Sequence, residues 1–90
     1  MIKKFYYSSL FEKNFRKLEK SLRIEVIEEL NSFAENPGQA HHRIHALREK
    51  FSGWLSMTIA PDLLIIFKFT KPNHSEVLIH NIGTHEIYLN

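Results

Sequence analysis

Between Leu63 and Phe69 the chain reads LLIIFKF, and this run constrains the fold more than any other stretch of the sequence. A β-strand sends successive side chains to opposite faces. A stretch that is apolar on both parities therefore predicts a strand covered on both faces. Two turn-rich connections bound it, Ala60-Pro61-Asp62 before and Lys71-Pro72-Asn73-His74-Ser75 after. Proline presets φ and asparagine bonds its local backbone, so both are turn formers. The flanking runs alternate: Leu55, Met57 and Ile59 point one way, Trp54, Ser56 and Thr58 the other. Gly53 to Leu89 thus reads as a three-stranded meander with Gly83-Thr84-His85 near its end. Such a meander leaves one face bare unless the first half of the chain covers it.

The first half has the means to do so. Ile2 to Tyr7 (IKKFYY) is a short aromatic strand, ended by Ser8-Ser9. Ser9-Leu10-Phe11-Glu12 matches the capping box that opens a helix. Phe11, Phe15, Leu18 and Leu22 follow at helical spacing, and Ser21 is placed to cap a second helix. In that helix Val26, Ile27, Leu30, Phe33 and Ala34 form one apolar stripe opposite Glu25, Glu28 and Glu29. Asn36-Pro37-Gly38 stops it. The expected architecture is α+β: one domain over residues 1–90 in the order β-αα-βββ, a mostly antiparallel sheet with a helical hairpin on one face. Gln39 to Ser52 (QAHHRIHALREKFS) has no clear period. Its anchors Ile44, Leu47 and Phe51 suit either a helical turn or a loop pinned by three apolar side chains.

Composition narrows the chemistry. The 90 residues include no cysteine, which excludes disulfides and thiolate catalysis and makes a reducing cytoplasm the default expectation. No apolar run approaches the roughly 18–20 residues of a membrane span, and the N-terminus lacks the apolar stretch of a signal peptide. A net charge of +2 is compatible with a nucleic-acid partner without demanding one. The three glycines are isolated, so no phosphate-binding loop exists.

Six histidines stand out. His41 and His45 are four apart, a metal-ligand spacing if they share a helix, but no glutamate follows the first to complete the zinc motif, and neither metal nor cofactor is expected. His41, His42 and His74 read as solvated loop residues and His80 as a half-buried structural one. His85 is different, because a strand end presents it from a rigid scaffold. Histidines, cations and a carboxylate suit RNA cleavage by acid and base. A base takes the 2′-OH proton, a cation steadies the phosphorane and an acid protonates the leaving oxygen.

The order β-αα-βββ, with His45-Ala46-Leu47, Gly53-Trp54, Pro61-Asp62, Ile65-Ile66-Phe67 and Ile82-Gly83-Thr84-His85, resembles the RelE/ParE superfamily of toxins from type II toxin–antitoxin pairs. Within it the YafQ-like mRNA interferases are the nearest branch. The resemblance implies a ribosome-dependent mRNA endoribonuclease, inhibited in a hetero-oligomer with its cognate antitoxin. It implies working groups at His45, Asp62 and His85, with Tyr88 as the C-terminal aromatic. His85 would exchange a proton at the scissile phosphate, and Asp62 would position an imidazole.

The chain departs from the family pattern at three places. Thr58 stands where a second histidine can occur, Leu64 stands where many relatives carry an arginine, and the final aromatic falls one residue early. The cations left for RNA are Arg43, Arg48, Lys50 and Lys68, of which Lys68 shares strand parity with Leu64. The alternatives are a weakened homologue that only binds its antitoxin, or a gyrase-inhibiting toxin of the ParE kind.

Overall fold

The computed structural model describes residues 1–88, the side chain of Tyr88 excepted. One sheet contains β1 (Lys4–Tyr7), β2 (Ile44–Ala46), β3 (Leu55–Ala60), β4 (Leu63–Phe69) and β5 (Glu76–Gly83), in spatial order β1-β5-β4-β3-β2. β1 runs parallel to β5, and the other three pairings are antiparallel. Helices α1 (Ser9–Arg16) and α2 (Lys20–Glu35) connect β1 to the rest. This is the expected α+β layout with one strand more. The segment without a period contains β2, framed by 3-10 turns at Ala40–His42 and Glu49–Phe51.

Both helices begin earlier than their sequence signals suggest. Ser8, not Ser9, caps α1: its hydroxyl oxygen accepts from the Phe11 N–H at 3.0 Å and its hydroxyl donates to the His80 carbonyl. The Ser8 N–H also bonds the Ile79 carbonyl at 3.0 Å, so the pairing of β1 with β5 decides where the helix starts. In α2 the Arg23 N–H reaches the Glu19 carbonyl at 3.0 Å, which places the N-cap at Glu19 and Ser21 inside the helix.

Phe33, on α2, sits at the centre of the core with no exposure. Its ring meets Phe67 of β4 edge-on at 5.3 Å and lies 6.5 Å from Phe5 of β1, tying helix to sheet. Phe11, Val26 and Leu30 are buried beside it, whereas Ile27 is 50% exposed. At 3.6 residues per turn Ile27 lies about 100° around the helix from Val26, on the rim of the buried arc. Ile65, Phe67, Val77, Ile79 and Ile82 supply the sheet's side of this cluster.

The other face of β4 is buried too. Leu64 and Ile66 are 2% and 0% exposed, yet neither belongs to the cluster under the helices. Five consecutive buried residues, Leu63 to Phe67, make β4 the doubly covered strand its composition requires. No described helix is long and apolar enough to cross a membrane.

Candidate active site

Register places His45 on the face away from the helices. Ile44, Met57 and Ile65 form one cross-strand row in β2, β3 and β4, and they point into the core. The next row, His45, Ser56 and Ile66, therefore points the opposite way. A third row on that face runs Thr58, Leu64 and Gly83. His45, Ser56, Thr58 and Leu64 of these rows line a cleft of about 430 Å³, together with Arg48, Glu49 and His85.

His45 reaches the cleft because β2 is an edge strand of three residues entered through a left-handed bend. Arg43 has φ 50°, and Glu49, just beyond the strand, has φ 56°. Both are uncommon for residues with a side chain. The Leu47 N–H bonds the Trp54 carbonyl at 3.0 Å, holding the return from β2 to β3 and bringing Arg48 to the cleft.

His85 arrives from the other end of the sheet. β5 stops at Gly83, and the chain turns into the 3-10 segment His85–Tyr88. Glycine leaves room for that turn: a Cβ at position 83 would lie 2.6 Å from the Ile87 Cγ2, so Ile87 would have to shift. Asp62, in the turn between β3 and β4, meets His85 with Oδ1 3.1 Å from Nδ1. Both are open to water, the His85 side chain being 49% and the Asp62 side chain 73% exposed. At such exposure the charge attraction contributes little stability. Its use is geometric, since an Nδ1–H donated to the carboxylate fixes the imidazole's direction.

The remaining candidates disperse. Lys68 projects from the cleft face as its parity requires, but its ammonium lies 4.5 Å from the Trp54 ring centre, held by that aromatic rather than at the cleft wall. Lys50 lies 5.6 Å over Phe51 and also does not line the cleft. Arg43 faces a neighbouring concavity with Glu29, His41 and Pro61. Tyr88 ends the 3-10 turn, and its side chain lies outside the described residues. His80 is half-buried, 5.1 Å from Trp54 and 6.2 Å from Phe51 between ring centres, at a bulge where β5 carries one residue more than β4.

One histidine expectation is corrected. His42 is not a solvated loop residue: it is fully buried, edge-on to Phe33 at 5.3 Å, with Nδ1 2.5 Å from Glu29 Oε2 and Nε2 3.0 Å from the Asn36 carbonyl. Its partners sit on or just after α2, 13 and 6 positions back, beyond any local pattern. His41 and His45 share no helix face, since one is in a 3-10 turn and the other in β2.

No family model matches the chain, and no curated protein is significantly similar to it in sequence. Solved structures are. YafQ from E. coli superposes with a TM-score of 0.75 at 21% identity, over 98% of this chain and 99% of that one. The chain has the fold of the RelE/YafQ-like toxins. The RelBE2 toxin–antitoxin complex from Mycobacterium tuberculosis gives 0.74 at 14% identity, over 94% of this chain and 100% of that one. The E. coli DinJ–YafQ complex gives 0.65 at 20%, over 98% and 99%. The toxin fold recurs across these chains at low identity, which sequence comparison alone misses.

Proposed function

We propose that the chain is the toxin of a type II toxin–antitoxin pair and acts as a ribosome-dependent mRNA endoribonuclease. The observation that carries the reading is the His85–Asp62 pair, whose imidazole lines the same cleft as His45 and Arg48. A paired imidazole, a second imidazole and a guanidinium are the groups that phosphodiester transfer needs, and they suffice without a metal. In the reaction the 2′-oxygen attacks phosphorus, its proton passing to a base, and the P–O5′ bond breaks as an acid protonates the 5′-oxygen. The products are a 2′,3′-cyclic phosphate and a 5′-hydroxyl. With Asp62 holding Nδ1–H, His85 exchanges its proton through Nε2. His45 stands across the cleft for the complementary transfer, and the Arg48 charge faces the phosphorane. Antitoxin complexes among the structural relatives support a protein partner that blocks this face or its access.

The second reading, a weakened toxin, has its own support. Leu64 is buried on the cleft floor opposite Thr58, so the place where the toxin resemblance leads one to expect a guanidinium is an apolar surface. Purified protein incubated with translating ribosomes and a defined mRNA decides between them. Cuts within reading frames that leave 2′,3′-cyclic phosphate ends support the nuclease. Intact mRNA with a folded protein supports the weakened toxin, and Leu64→Arg is then the substitution expected to restore cleavage.

A further inference from the structure

Away from the cleft, three potential ligands from two elements converge. Glu29 comes from α2, and His41 and His42 from the 3-10 turn Ala40–His42. Their ligating atoms all lie within 4.8 Å of one another. Glu29 Oε2 is 2.5 Å from His42 Nδ1 and 3.6 Å from His41 Nε2. The Asn36 carbonyl, 3.0 Å from His42 Nε2, can only accept, so Nε2 carries a proton and donates it. Nδ1 then turns its lone pair toward a carboxylate oxygen, and two acceptors so close need a positive charge shared between them. A second proton on the ring would satisfy that pair alone. His41, its ring tilted 45° to that of His42 with centres 4.2 Å apart, brings Nε2 to within 3.6 Å of the same oxygen, with the Ser32 hydroxyl 3.5 Å from that nitrogen.

We propose that Glu29, His41 and His42 bind a zinc-class divalent cation, at a site separate from the cleft. Two imidazoles and one carboxylate suit Zn²⁺ and its late first-row neighbours rather than Mg²⁺ or Ca²⁺, which prefer all-oxygen shells. Bonds of roughly 2.0–2.2 Å put tetrahedral ligands roughly 3.3–3.5 Å apart. The His42–Glu29 pair opens slightly to reach this, and His41, with a side chain 52% exposed, has room to swing in. His42 already has the arrangement of a metal-bound histidine, its outer N–H held by a backbone carbonyl. The fourth position faces the concavity lined by Glu29, His41 and Arg43, where water reaches it. A bound cation would pin the turn to α2 immediately before Arg43 and β2, and so stiffen the entry to the strand that carries His45.

Calorimetric titration with Zn²⁺ and the visible spectrum of the Co²⁺ form test the site, using the purified chain. Wild type and His85→Ala should each bind one cation, with the intense Co²⁺ band of tetrahedral coordination. Glu29→Gln and His41→Ala should bind at least about tenfold more weakly, since loss of even an outer-shell partner costs that much. Zn²⁺ should raise the melting temperature of wild type and not of His41→Ala, whose exposed side chain the fold does not need. Three results overturn the proposal: no stoichiometric binding by wild type, undiminished binding by both ligand variants, or binding lost only in His85→Ala, which would place the cation in the cleft.

Discussion

The same chemical pair, an imidazole Nδ1 against a carboxylate oxygen, occurs twice among the described residues, with opposite surroundings. His42 and Glu29 are 2.5 Å apart, the imidazole fully buried, with its other nitrogen bonded to backbone. His85 and Asp62 are 3.1 Å apart, with side chains 49% and 73% exposed. The first imidazole fills space beside Phe33 and cannot leave without opening the core. The second stands on a 3-10 turn at the end of the sheet, where it can approach a substrate. Burial, more than pairing, separates a histidine that holds the fold from one open to a ligand. The contrast also shows why a histidine count says little until each ring's surroundings are known.

Substitutions that break one side of this contrast should leave the other intact. Leu30→Ala calibrates the scale: a leucine 6% exposed on α2 should cost about 2–5 kcal/mol in a denaturant melt. A change within about 0.5 kcal/mol would put α2 outside the core. His42→Ala should cost about 2–4 kcal/mol, because it leaves a hole beside Phe33 and strands both the Asn36 carbonyl and the Glu29 carboxylate. If it melts like wild type, the buried pair does not hold the turn. Gly83→Ala should cost about 1–2 kcal/mol as the new Cβ pushes Ile87 and tilts the 3-10 turn. It should slow cleavage by more than that stability loss explains, and a full wild-type rate would show that the turn's position is immaterial. Asp62→Asn should change stability by less than about 0.5 kcal/mol, as expected for an exposed pair, while still lowering the cleavage rate. A stability loss equal to that of His42→Ala would erase the distinction between the two pairs.

Much of this was legible in the sequence, for reasons that differ by region. The run Leu63 to Phe69 and the stripe Val26, Leu30 and Phe33 announced a covered strand and a packed helix, because each pattern is local and repeats. β2 was not legible: three residues cannot show a period, and Ile44–Ala46 is a strand because β3 offers it an edge to pair with. His42 was misread for a similar reason, since its neighbours in sequence are polar and its partners lie on or just after another element. The juxtaposition of Asp62 and His85, 23 residues apart, follows from no spacing rule. Family resemblance suggested both residues, and the fold supplies their distance. Parity relates Lys68 to Leu64, but it carries no information about Trp54 holding the ammonium.

The most direct test of the central claim is single-turnover mRNA cleavage on purified ribosomes by His85→Ala beside wild type, with circular dichroism and a denaturant melt on both proteins. Removing an imidazole that transfers a proton in the transition state should slow cleavage by about 10²–10⁴-fold. The melt should stay unchanged, because the ring is half exposed and outside the core. A folded His85→Ala protein that cuts at the wild-type rate would contradict the account and move the proton-transfer role to His45.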